Sequence, residues 1–187
     1  MKNTKDIIRF FVIIICLISS SPTVLSDVYS KKNVLILNSY HLGYKWSDDI
    51  MEGIFECFSD ANSPVEIYVE YMDMKRFTVA DDYSSFYQIC RNKYKDHHIN
   101  LIITCDDDAF NFIKKYRDGL FNNAAVVFCG VNYLNPSDIN NLYNVVGVNE
   151  VVSLSDNMEL ILKLHPDTKD IYVINDISVT GRKIKTA

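Results

Sequence analysis

Asn33-Val-Leu-Ile-Leu-Asn-Ser-Tyr-His-Leu-Gly-Tyr-Lys-Trp-Ser-Asp-Asp-Ile-Met-Glu-Gly-Ile-Phe-Glu-Cys-Phe58 is the stretch that decides how the chain folds. Val34 to Leu37 is apolar at every position, the pattern of a strand covered on both faces by helices at the centre of a parallel sheet. A polar and aromatic loop follows from Asn38 to Trp46, then an amphipathic helix with an acidic start from Ser47 to Phe58. In open α/β sheets, ligands lie outside the carboxyl ends of the strands. The loop therefore brings Asn38, Ser39, Tyr40, His41, Tyr44 and Trp46 to a candidate crevice.

The same strand, loop and helix order recurs along the chain. After the turn Ala61-Asn62-Ser63-Pro64, Val65 to Tyr71 reads as a second strand. Helix two is expected from about Asp81, with Tyr83, Phe86, Tyr87, Cys90 and Tyr94 on one buried stripe. Asn100 to Cys105 is a third strand. Asp106-Asp107-Asp108 ends it and starts a helix carrying Ala109, Phe112, Ile113 and Tyr116, with Gly119 as the expected C-cap. Strands four (Ala124 to Phe128) and five (Asn144 to Asn149) follow, with Gly130, Val131 and Asn132 in the loop after strand four. Ser153 to Leu164 is a helix stopped by His165-Pro166, and Ile171 to Asn175 reads as a further strand before a loop and helix start at Ser178-Val179-Thr180-Gly181. The pattern implies an α/β chain holding one complete doubly wound parallel-sheet lobe (residues 27–152) and the beginning of a second, truncated lobe (residues 153–187).

Residues 1–26 have the three-part layout of a signal peptide: basic Lys2, Lys5 and Arg9, an apolar run from Phe10 to Ile18, and the small-residue site Val24-Leu25-Ser26. An extracytoplasmic (periplasmic or cell-surface) protein is implied; left uncleaved, the segment would anchor it to the membrane. Cys16 follows Ile14 and Ile15 rather than a small residue, which argues against lipoprotein processing. Cleavage moves the formal charge from −5 to −7, a poor balance for nucleic acid or anionic lipid. Cys57, Cys90, Cys105 and Cys129 then remain, all within apolar patterns, and are read as small buried hydrophobes. Only Cys105 with Cys129 is placed to bridge, because both end strands that should be neighbours.

Tyr40, Tyr44 and Trp46 can sandwich a small organic ligand, or simply pack the loop on its own helix. Asp106, Asp107 and Asp108 suit a cation or amine, although helix capping explains at least one of them. Asp73 and Asn132, at two other strand ends, extend the crevice. No spacing of His or Cys suggests a metal, and no cofactor is implied. The chain lacks the Ser elbow, the phosphate-binding loop and the dinucleotide fingerprint. A receiver-like phosphoacceptor has the same element order with an Asp at the third strand's end, but it needs an acidic pair where this chain has Asn38 and Ser39. An exported enzyme would have to use the Asp cluster, or Cys105 or Cys129 with His41.

Five blocks in order resemble a known family: residues 34–54, then Glu70-Tyr71-Met72-Asp73-Met74-Lys75-Arg76, Cys105 to Phe110, Val127 to Asn132, and Leu164 to Thr168. They are similar to the ABC transporter substrate-binding proteins of the tryptophan/tyrosine-binding type. Related domains occur as extracytoplasmic sensor domains in bacterial histidine kinases and diguanylate cyclases. The resemblance implies a type I periplasmic-binding-protein fold that closes two lobes on an amino-acid-like ligand, and not an enzyme. Its partner would be a membrane permease, or a fused or separate kinase or cyclase in two-component-type signalling. On that reading the sequence is a fragment lacking most of lobe two, and the bland alternative is a truncated product with no function of its own.

Overall fold

In a computed structural model of the chain, residues 31–61, 64–77, 82–135, 137 and 139–186 are described. The signal-peptide reading, the expected helix start at Asp81 and the loop residue Pro136 lie outside the described residues. Five strands form one sheet: β1 (Lys32–Asn38), β2 (Val65–Tyr71), β3 (Leu101–Cys105), β4 (Ala125–Asn132) and β5 (Val145–Glu150). They run in the order β2-β1-β3-β4-β5 and every pair is parallel. Helices α1 (Lys45–Asp60), α2 (Ser84–Tyr94) and α3 (Asp107–Phe121) follow β1, β2 and β3, and α4 (Leu154–Leu164) and α5 (Val179–Thr186) come after β5. The protein is thus α/β, a parallel sheet flanked by helices, of a kind compatible with Rossmann-like and periplasmic-binding-protein-like architectures.

The apolar run of β1 explains the layering. Val34 and Ile36 face α1 and pack with Met51, Ile103 and Cys105, whereas Leu35 and Leu37 face the other way, onto Cys90 and Tyr94 of α2 and Phe112 and Ile113 of α3. A period of two puts successive side chains on opposite faces, so only a continuously apolar strand can serve both layers. A third cluster, Phe110, Phe128 and Val131, carries the core toward the β5 edge.

Several expectations need correction. Gly119 lies inside α3, which runs on until Phe121 is buried. Asn122, left-handed at φ 46°, is the actual cap; Asn tolerates that conformation where most side chains do not. Cys57 is exposed, because it falls on the outer face of α1. Ile171 to Asn175 is not a strand: the segment has no ladder, and Tyr172 and Ile174 are 88% and 98% exposed. Strand-like composition becomes a strand only beside a partner edge. The edge strand β5 likewise leaves Val146 and Val148 in solvent, and α4 buries none of its residues.

Candidate functional site

The strand order reverses at β1, so the carboxyl ends of β1 and β3 diverge into different helices and leave the crevice between them. Asn38 and Ser39 leave β1 there but turn inward. Asn38 Oδ1 accepts from the Tyr40 amide (3.1 Å) and from the Ser47 hydroxyl (3.0 Å), tying the loop to α1. Its Nδ2 is buried with no protein partner among the described residues. Ser39 Oγ donates to the Cys105 carbonyl (2.8 Å) and accepts from the Ala109 amide (2.9 Å), fastening β1 to β3 and to the first turn of α3. Both side chains are fully buried framework.

The β3 end is different. Asp106 has a left-handed backbone (φ 74°) and caps α3, its side chain accepting from the Asp107 amide. Its other oxygen accepts from the Tyr40 hydroxyl at 2.6 Å. Asp107 is fully buried and accepts from both the amide (3.2 Å) and the side-chain nitrogen (3.0 Å) of Asn132. Asp108 points elsewhere, onto the hydroxyl of Tyr83 (2.8 Å), so the acidic triplet divides into a site pair and a core carboxylate. Burial raises Asp106 to about 6 against the lowering effect of its Tyr40 hydrogen bond, and the neighbouring charge of Asp107 adds to the rise. Burial and the adjacent Asp106 push the Tyr40 phenol well above its ordinary value, so it stays a donor.

Two groups that sequence reasoning passed over complete the pair. The hydroxyl of Thr180 lies 3.1 Å from Asp106 Oδ1 and 3.2 Å from Asp107 Oδ2. One helical turn on, the Lys183 ammonium donates to Asp107 Oδ1 and to the Asn132 carbonyl (2.8 Å). Their three-residue spacing at the start of α5 was the available signal, because it places both on one helix face. A third, Lys75, stands 5.0 Å from the centre of the Tyr40 ring and binds Asp176 at 2.8 Å; that ion pair, with the Ser178 bonds, holds Asp176 down at about 2.

Tyr44 and Trp46 meet Tyr40 edge-on, at 5.1 and 5.6 Å between ring centres, and the three rings wall a cavity of about 150 Å³. Asp106, Asn132, Glu150 and Thr180 also line it. The Trp46 indole packs against Gly130 (φ 68°), where a Cβ would come within 2.7 Å of its six-membered ring. Asp73 stays apart: it takes both arms of Arg76 (2.7 and 2.5 Å), which hold its carboxyl below the usual range, and it closes the loop after β2. The His41 ring packs on Tyr44, with Nδ1 3.4 Å from Asp73 and outside hydrogen-bond geometry. A larger hollow of about 690 Å³ lies beside α5 against Leu154, Val173 and Ile177, but it contains none of the carboxylate pair.

Among the described residues, no group of three His, Cys, Asp or Glu side chains could hold a metal ion, and no helix is long and apolar enough to cross a membrane. No family model matches the chain, and no curated protein or solved structure matches it. The fold and the site define an α/β protein with an acidic, aromatic-walled pocket at the switch point of a parallel sheet.

Proposed function

We propose that the protein is an extracytoplasmic solute-binding module that takes a small amino-acid-like ligand, as a transporter's binding protein or a sensor's input domain coupled to a permease, kinase or cyclase. The observation that carries this reading is the occupancy of Asp106 and Asp107. The buried carboxylates accept a hydroxyl and an ammonium from Thr180 and Lys183, so their geometry suits a ligand bearing an ammonium beside a hydrogen-bond donor. The three aromatic rings offer the apolar wall that an amino-acid side chain needs. The segment after residue 153 returns over the strand ends through α5, in keeping with a second lobe that contributes to closure.

Binding is favoured over catalysis because, among the described residues, His41 stands away from both thiols at the strand ends. It faces Asp73 and Tyr44, whereas Cys129 Sγ donates to the Thr104 carbonyl at 3.6 Å and Cys105 lies against Cys129. The test is a thermal-shift screen of amino acids, amines and carboxylates on the wild type and on Asp106→Asn. Ammonium-bearing compounds should raise the melting temperature of the wild type by mass action, and Asp106→Asn should lose the response. A screen in which nothing shifts at millimolar concentration, or in which Asp106→Asn responds equally, overturns the reading.

A further inference from the structure

Directly beneath the pocket, β3 and β4 end on a pair of thiols. Cys105 and Cys129 are register partners on neighbouring parallel strands, so their side chains leave the same face, and both pack in the cluster that contains Trp46. Strand spacing puts their α-carbons about 4.8 Å apart, within the range a disulfide spans. Both are free thiols, Cys105 fully buried and Cys129 partly open. The neighbouring Cys129 thiol and burial push Cys105 up, while Cys129, whose Sγ donates to the Thr104 carbonyl at 3.6 Å, is the more open of the two and so the sulfur a disulfide from solution reaches first.

We propose that Cys105 and Cys129 form a reversible disulfide that serves as a redox switch under the aromatic wall. The Cys129 thiolate attacks a low-molecular-weight disulfide, forming a mixed disulfide and releasing one thiol. Cys105 then gives up its proton, attacks the Cys129 sulfur and releases the second thiol. Two protein thiols are oxidised by two electrons, and one small disulfide becomes two thiols. The bridge requires β-carbons nearer than neighbouring strands ordinarily set them, which makes it labile rather than permanent. The chain has room to give at this point, since Cys105 is the last residue of β3 and Cys129 lies in the register irregularity between Phe128 and Val131. The consequence reaches the pocket by two routes. The Cys129 carbonyl accepts the Asp106 amide at 2.9 Å, and the next residue, Gly130, is the surface on which Trp46 rests.

The full chain should be equilibrated in oxidised and reduced glutathione mixtures, digested without reduction and examined by mass spectrometry, with tryptophan emission read in parallel. Trp46 is the chain's single tryptophan, so the emission has one source. The expected result is a Cys105–Cys129 linked peptide, two hydrogens lighter than its parts, that appears together with a loss of emission and disappears on reduction. Cys129→Ser should abolish both changes, and Cys57→Ser, at the exposed thiol, should leave both intact. If Cys129→Ser fails to fold, Cys105→Ala supplies the same arm. Glutathione held on Cys129 without the internal link, no linked peptide at any ratio, or an emission change that survives in the Cys variants overturns the proposal. No ligand is added, so the outcome is separable from that of the binding screen.

Discussion

The carboxyl ends of β1 and β3 are neighbours, and each carries two polar residues after an apolar strand, yet they do different things. Ser39 spends its hydroxyl on backbone groups of β3 and α3, and Asn38 Oδ1 is held by the Tyr40 amide and the Ser47 hydroxyl at the root of its own loop. Asp106 and Asp107 accept one backbone amide each, and beyond it take side chains that arrive from Tyr40, Thr180 and Lys183. Groups satisfied by the backbone are fixed once the fold forms. Groups satisfied by side chains from other elements can exchange those partners for a ligand. Position at a switch point is therefore not enough to mark a binding residue; what matters is who fills its lone pairs.

This contrast can be broken in four places. Ser39→Ala orphans the buried Ala109 amide and takes one of two donors from the Cys105 carbonyl, which keeps the Ser39 amide at 3.1 Å; at roughly 1–3 kcal/mol for the orphan and about 1 kcal/mol for the lost bond it should cost about 3 kcal/mol in urea unfolding. Ligand affinity per folded molecule should not change. An Ala variant as stable as the wild type would remove the distinction altogether.

Asp106 should act on stability through pH. Its carboxyl titrates at about 6 when folded and near 4 when unfolded, so the folded state holds the proton more tightly. Stability tied to this group is fully present below about pH 4 and is lost as pH rises through about 6, a total of about 3 kcal/mol. The difference between wild type and Asp106→Asn, measured from pH 4 to 7.5, isolates it from Asp176, whose depressed value places its opposite effect at lower pH. A difference that stays flat across that window would show Asp106 to be ordinary framework.

Lys183→Met removes the internal cation. Because the Lys183 side chain is a third exposed, the loss should be only about 1–2 kcal/mol, below that of a fully buried pair. Affinity for an ammonium ligand, measured by calorimetry, should rise, since the ligand no longer competes with the chain's own lysine. Weaker binding would instead make Lys183 part of the ligand's own recognition. The smallest change is Thr180→Val, which takes one shared hydroxyl from both carboxylates and should cost about 1 kcal/mol by thermal melting.

The sheet was readable in the sequence because its strands are short apolar runs bounded by turn residues; Val65 to Tyr71 forms as expected, and Ala125–Asn132 only extends further. Gly119 misled because local propensity favoured a stop there, while burial of Phe121 carried the helix on. Ile171 to Asn175 misled for the converse reason, since β-branched composition says nothing about a neighbouring edge. In the site, Tyr40, Tyr44, Trp46, Asp106 and Asn132 converge on the cavity, and Asp107 binds Asn132 beneath it. Asp73 was the outlier, claimed by Arg76 three residues away. Thr180 and Lys183 were illegible from the strand rule, because they reach the strand ends from a helix late in the chain.

The seat of Trp46 on Gly130 also says something about the order in which the molecule comes together. The indole rests on a strand 84 residues further along the chain, and β1 gains its second neighbour only when residues 101–105 arrive. Contacts of such long range are slow to form, because the loop between them must be ordered before they contribute anything. The helices can gain structure early from local contacts, whereas the pocket exists only after β4 has docked. Refolding followed at the indole should therefore lag refolding followed by far-ultraviolet dichroism, and the delay measures how long the chain spends with secondary structure and no binding site.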